Sequence, residues 1–319
     1  MKKLMSFAVI ALLCTACNNN SSEVKQEEAP ERNGWDGPDL YGNVKSVTVT
    51  SYNLSSKFGE EIIGDEVQKD VYNFDSSHGN VISKNSVDKS ASTLVYEDYT
   101  YTFDAEGHCI ERLYNLNGKR SARYKYVYDS DGNLSEESTI DANGAFQYKC
   151  IYKYDSDGNR IEKNVPVLWG DAANNKTTYT YDSNGNCIEE SSYDSGNIDE
   201  KVTYAYDPNG NCIEENETRY WYDGSVEKEK IIRVYDSDGN CIEMNNYNMD
   251  GEVIRKGIYK YDTDGKLIEI IFYDRPDVAR ISTMTYDSNG NCIERKECLR
   301  FIGILYPYYL TKYEIEYFE

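Results

Sequence analysis

Asp-Ser-Asp-Gly-Asn occurs at 129–133, 155–159 and 236–240. Acidic side chains on alternate positions before a glycine open many calcium loops, so metal binding is the first chemistry to consider. An EF-hand loop also needs glycine at its sixth position and a bidentate Glu at its twelfth. Counted from Asp129 those positions hold Leu134 and Ile140; counted from Asp155 they hold Arg160 and Pro166. Other copies carry Asn184, Asn209 or Asn289 in place of the second acid. The carboxylates therefore read as turn residues, and neither a metal site nor a cofactor is expected.

Thiols are the second candidate chemistry. Seven cysteines follow Cys17, at 109, 150, 187, 212, 241, 292 and 298. Five of them share one position just after a turn, where other copies carry Val81, Leu134, Arg160 and Leu267. Exchange with Val and Leu marks a small buried apolar position. Matching copies should lie two strand spacings apart, roughly 9.5 Å, and a disulfide needs Cα atoms within about 7 Å. Cys150 and Cys298 fall outside that pattern, and their pairing stays open. Among these seven there is no Cys-x-x-Cys pair, and the two histidines, His78 and His108, adjoin the turn glycines Gly79 and Gly107. Zinc and a histidine-assisted nucleophile are not expected. Carboxylates are too abundant to single out a pair for glycoside hydrolysis, so no catalytic residue is assigned.

Aromatic side chains are the third. Two stretches break an otherwise regular pattern: Asn164 to Lys176 carries Trp169, and Glu217 to Lys228 clusters Tyr220, Trp221 and Tyr222. Aromatic faces beside acids and amides suit the apolar faces of sugar rings. Trp169, Tyr220, Trp221 and Tyr222 are the candidate ligand-binding residues, set against the plainer reading that the rings cover the sheet locally.

The elements that would position these residues repeat. An aromatic-Asp pair begins at Phe74, Phe103, Tyr128, Tyr154, Tyr181, Tyr206, Tyr235, Tyr261 and Tyr286, at intervals of 25 to 29 residues. Nine copies at near-constant spacing define a repeat architecture. Each begins with an alternating run such as Tyr124, Tyr126 and Tyr128 on one face of an extended strand. A turn with an invariant glycine follows, then a second run, then a more variable turn. Asp182 can accept a backbone N–H two residues on, while Gly185 supplies positive φ. That geometry pairs Asp182 with Asn186 and sets Tyr181 opposite Cys187. Tyr41 to Val44 resembles the second half of a unit, and Thr311 to Glu319 reads as a closing strand. The fold expected is all-β: an antiparallel hairpin array of about 18 strands, curled by twist into a spiral, trough or wide barrel. A propeller needs four strands per blade, and nine units do not divide into blades.

Tyr128-Asp129 with Gly132-Asn133, and Tyr286-Asp287 with Gly290-Asn291-Cys292-Ile293, resemble the YD repeat of the RHS family, over about residues 39 to 319. That resemblance implies a hollow β-spiral scaffold at a cell surface or in a secreted toxin, with carbohydrate or cell binding in some members. The array here is short and lacks a cargo-like C-terminal domain or a self-cleaving segment, so encapsulation and toxicity are not expected.

The first residues follow an export pattern: Lys2 and Lys3, an apolar run from Leu4 to Leu13, then Thr15 and Ala16 before Cys17. The run is too short to span a bilayer. Residues 1–16 are expected to be a lipoprotein-type signal, with Cys17 the lipidated residue, 17–38 a polar tether and 39–319 the repeat domain. No later apolar run is long enough to span a membrane. The formal net charge is -22, which disfavours nucleic acid as a partner. With 31 tyrosines, the chain is too aromatic for disorder. Together these features predict a protein of the cell envelope, lipid-anchored to the outer membrane, periplasmic or surface-exposed. Its expected role is a non-enzymatic scaffold that binds a glycan or a partner protein. The alternatives are a glycan-processing surface enzyme using carboxylates, and a shell component of a larger assembly.

Overall fold

The computed structural model describes residues 35, 37–89, 91–166, 175–275 and 277–319. Its strands are β1 (Val44–Lys57), β2 (Glu60–Phe74), β3 (Val81–Asp88), β4 (Thr93–Phe103), β5 (Cys109–Leu116), β6 (Lys119–Tyr128), β7 (Leu134–Asp141), β8 (Phe146–Tyr154), β9 (Arg160–Val165) and β10 (Asn175–Tyr181). They continue as β11 (Cys187–Asp194), β12 (Asn197–Tyr206), β13 (Cys212–Tyr220), β14 (Val226–Tyr235), β15 (Cys241–Tyr247), β16 (Val253–Tyr261), β17 (Leu267–Arg275), β18 (Val278–Tyr286), β19 (Cys292–Phe301) and β20 (Ile304–Tyr317). Each pairs antiparallel with its neighbours in sequence, and β1 also pairs with β20. The sheet is a closed barrel of 20 strands.

The nine repeats account for β2 to β19. The two further strands form a tenth hairpin split between the chain ends, with β20 as the tyrosine strand and β1 as its partner. Tyr317 lies opposite Val44 as Tyr181 lies opposite Cys187. Phe318 N donates to Asn43 O at 2.9 Å, as Asp182 N donates to Asn186 O at 2.9 Å. Gly42 has φ 80° and Gly185 φ 83°. The expected count of about 18 thus rises to 20, because the end segments complete a full unit together and close the sheet on itself.

The turns fold as their residues dictate. In the repeat at 182–186, Asp182 Oδ1 accepts from Asn184 N at 2.8 Å and Asn186 N at 2.9 Å, while Oδ2 accepts from Asn186 Nδ2 at 3.0 Å. Asp155 is satisfied in the same way by Asp157 and Asn159. These carboxylates are engaged by their own turns. Their pKa values lie below the usual range; for Asp182 the largest cause is the Asn186 side-chain hydrogen bond. Opposite Tyr181 the ladder skips Ile188, a bulge that lets Cys187 and Glu189 pair with Tyr181 and Thr180.

A ring of 20 strands has a perimeter of about 96 Å at 4.8 Å per strand, so opposite walls of an open circle cannot share one core. The buried apolar cluster is accordingly local: Leu40, Val44, Val47, Tyr72, Phe74 and Val81, with Trp35 packed edge-on to Tyr72 at 4.9 Å between centroids. It lies at the seam, beneath the segment that leads into β1. Elsewhere successive units are tied by a repeated bond. The motif tyrosine donates its hydroxyl to the backbone carbonyl of the first strand residue after the previous turn: Tyr154 to Leu134 at 2.9 Å, Tyr181 to Arg160 at 2.7 Å, Tyr286 to Leu267 at 2.7 Å. The other face carries cross-strand ion pairs at one recurring position, including Glu136–Lys149, Glu189–Lys201, Glu214–Lys230 and Glu243–Lys256 at 2.8–2.9 Å. Partly exposed pairs of this kind contribute at most about 1 kcal/mol each.

Candidate functional site

The β13–β14 connection keeps the backbone of the Tyr-Asp turn and changes its chemistry. Trp221 N donates to Ser225 O at 3.0 Å and Gly224 N to Trp221 O at 2.9 Å, the pattern made by Asp182, Gly185 and Asn186 in the regular turn. Trp221 occupies the aspartate position and has no carboxylate to offer. Asp223 takes over, accepting from Ser225 N at 2.9 Å and Ser225 Oγ at 2.6 Å. The turn is therefore held without either aromatic ring. Trp221 is 53% exposed and Tyr222 is 93% exposed. The Tyr222 hydroxyl bonds the Asp194 carboxylate on the β11–β12 hairpin, and that bond raises the tyrosine pKa. Tyr220, which pairs with Val226, is 37% exposed. The structure thus groups Tyr220, Trp221 and Tyr222 on one hairpin with Asp194 and Asp223 close by. Trp169 lies outside the described residues, as does Cys17.

A second group escaped the sequence. Alternation places Glu200, Glu217 and Arg219 on one face of neighbouring strands, where Glu200 is opposite Arg219 and Glu217 is opposite Glu229. Arg219 Nε meets Glu200 Oε1 at 3.1 Å, and its Nη2 pairs with Glu217. Burial first, then the hydrogen bond with Glu200, pushes the Glu217 carboxyl up to about 7. Glu190 is raised as well, by burial and then by the Glu200 charge. A carboxyl that titrates near neutrality can donate a proton. Only the strand register brings these acids together; in the sequence they are unremarkable Glu residues in a chain full of them.

The remaining sequence candidates have structural partners. His108 stacks on Tyr128 at 4.5 Å, and its Nδ1 lies 3.1 Å from Asp104. His78 stacks on Phe103 at 4.0 Å. Both histidines pack a turn against the next unit. The seven cysteines after Cys17 are all free thiols. Cys187 Sγ donates to Glu189 O at 3.6 Å, and Cys292 makes the equivalent bond. Burial pushes the Cys292 thiol up to about 11, which disfavours the reactive thiolate. Among the described residues, no group of three or more His, Cys, Asp and Glu side chains is arranged to hold a metal ion.

No protein-family model matches the chain, and no curated protein matches it. Solved structures do. A chain of the TcdB2-TccC3-Cdc42 crystal structure aligns at 12% identity and a TM-score of 0.34, covering 81% of this chain and 17% of that one. This chain therefore spans less than a fifth of that structure's length. A porin-like protein from Bacteroides uniformis aligns at 12% identity and a TM-score of 0.35, covering 87% of this chain and 98% of that one. A second porin-like protein, from Bacteroides vulgatus, aligns at 10% identity and a TM-score of 0.22, covering 86% of this chain and 98% of that one.

Proposed function

We propose that this protein is a non-enzymatic repeat scaffold of the YD type, lipid-anchored through Cys17 at the outer membrane. It presents the Tyr220–Trp221–Tyr222 hairpin to a glycan, with a partner protein as the other class of ligand. The observation that carries this reading is the β13–β14 turn. There the repeat backbone is retained while its capping aspartate is replaced by Trp221, and Asp223 takes over the cap. The substitution leaves a large aromatic face exposed without a structural task at that turn. Exposed rings flanked by carboxylates suit a sugar, whose C–H face stacks on the ring while its hydroxyls donate to the acids. The test is a glycan array probed with the wild-type chain and with Trp221→Ala and Tyr222→Ala. Binding that drops at least tenfold in both variants, with unchanged thermal melting, supports the site. Binding that is equal in all three chains removes it.

A second reading has its own observation. In the Glu200–Arg219–Glu217 group burial raises one carboxyl to about 7, which suits a glycan-processing enzyme. Hydrolysis of an oligosaccharide that is abolished by Glu217→Gln, and kept by Trp221→Ala, would favour the enzyme over the scaffold. The third reading, a shell component of a larger assembly, predicts a stable complex with another chain during native purification.

A further inference from the structure

Among the described residues, hairpin connections at the end opposite the Tyr-Asp turns put five non-glycine residues in the left-handed region. Ser92 (φ 54°), Asn117 (φ 50°) and Ser195 (φ 51°) are small and polar, whereas Phe58 (φ 55°) and Ile302 (φ 50°) are large and apolar. A bulky or β-branched residue is strained there. Phe58 is nevertheless 96% exposed, with the Lys57 ammonium 5.7 Å over its ring, and Ile302 is 68% exposed, its N–H bonded to Asp277 O at 3.1 Å, so side-chain burial does little to offset the strain.

These two residues tip the β1–β2 and β19–β20 hairpins, which flank the barrel seam. The β1–β20 ladder stops at Asn53–Tyr309. Beyond it the hairpins part around a cavity of about 400 Å³ between residues 54–56 and 304–307. An ion pair from Lys296 on β19 to Glu61 on β2 links them across the gap. Behind the tips, Ile62, Ile63, Ile304 and Leu305 are exposed. Consecutive strand residues face opposite sides, so the β19–β20 hairpin is apolar on both faces just behind its point, whereas in the β1–β2 hairpin Glu60 and Glu61 stand between Phe58 and the isoleucines and Phe58 alone leads.

We propose that the Phe58 and Ile302 tips insert shallowly into a lipid bilayer. A protein partner covering one face would leave the other wet, whereas lipid surrounds a point from every side. Tyr306 and Tyr308, both exposed, follow behind the β20 tip, as tyrosines do at membrane–water interfaces. The depth is limited. The β2–β3 ladder begins only at Gln68, so β2 has an open edge near its tip, and it carries Glu60, Glu61, Asp65 and Glu66 there. Open edges and acids stay out of hydrocarbon. The reach is sufficient. Asn18 to Gly34 is 17 residues, up to about 58 Å extended at ~3.4 Å each. From Val44 to Phe58, β1 rises about 46 Å at ~3.3 Å per residue. A chain anchored at Cys17 can therefore set its tips on the same bilayer. That reach rests on the anchor proposed above; the tip chemistry does not.

Hydrogen exchange of the full chain, with and without phosphatidylcholine vesicles, tests this. Exchange across 55–63 and 299–306 should slow at least fivefold with vesicles, while the tips at 117–118 and 195–196 stay unchanged. Unchanged exchange at the first two tips overturns the proposal. Phe58→Asn with Ile302→Asn places at each tip a residue that the Asn117 turn already tolerates, so folding is retained. The double variant should lose the protection, and protection that survives in it also overturns the proposal. Slowing that follows protein concentration without vesicles would assign the tips to a second copy instead. Cys17→Ala separates the two ideas: tip protection that persists at higher lipid concentration upholds insertion even if the anchor reading fails.

Discussion

Tyr206 Oη donates to the backbone carbonyl of Cys187 at 2.7 Å, joining one repeat to the one before it. The same bond recurs from Tyr128 to Cys109 at 3.0 Å, from Tyr235 to Cys212 at 2.9 Å and from Tyr261 to Cys241 at 3.0 Å. The repeat therefore uses tyrosine for its hydroxyl as well as its ring. Tyr206→Phe keeps the ring and removes the donor. The expected loss is about 0.5–1.5 kcal/mol, read by urea denaturation. An unchanged midpoint would show that the ring alone holds the units together.

Gly185 illustrates the backbone requirement of the turns. Its φ is 83°, and a Cβ built there lies 3.9 Å from Asn159 Oδ1 in the preceding turn. Space is adequate, so the cost of a side chain is conformational. Gly185→Ala should destabilise by about 1–2 kcal/mol, and Gly185→Asn by less, because asparagine tolerates the left-handed region. Equal losses in both variants would point to a steric cause instead.

The seam depends on Asn291, which is fully buried. Its Oδ1 accepts from Tyr41 N at 2.6 Å, and its Nδ2 donates to Tyr41 O at 3.1 Å and Tyr317 Oη at 2.6 Å. Among the described residues, the side chain of the equivalent Asn186 bonds within its own turn. Asn291→Ala should cost about 1–3 kcal/mol by stranding buried partners, and Asn186→Ala clearly less. A matched pair of losses in equilibrium unfolding would mean that closure does not run through this residue.

Stability should fall off on both sides of mildly acidic pH. The turn aspartates have pKa values lowered from 3.8, through the hydrogen bonds they accept. Their contribution is present above pH 3.8 and is lost as pH falls through the folded-state values. Glu217 has the opposite sign. Its carboxyl is raised from 4.5 to about 7, so the folded state binds more protons in that window and stability declines as pH rises through it. Glu217→Gln should flatten that decline in thermal melts between pH 4.5 and 8. A decline of the same size in the variant would assign it to another group.

The repeat, its two strands per unit and the chemistry of its turns were legible in the sequence, because each is a local matter. Alternation of Tyr124, Tyr126 and Tyr128 marks a strand face, and the spacing from Asp182 to Gly185 marks a turn. Pairing of Tyr181 with Cys187 followed from the turn alone and is what the structure has. The Trp221 cluster was also visible, as a break in a regular pattern. Closure was not, because local hairpin geometry is the same in a spiral, a trough and a barrel. It was decided by contacts across the whole chain, where Tyr317 meets Val44 and Asn291 holds Tyr41. The Glu200–Glu217 group likewise needed the register of three strands, and the apolar tips needed the values of φ at Phe58 and Ile302. Residue order determines what each hairpin is; only the summed twist of twenty strands determines that the first one finds the last.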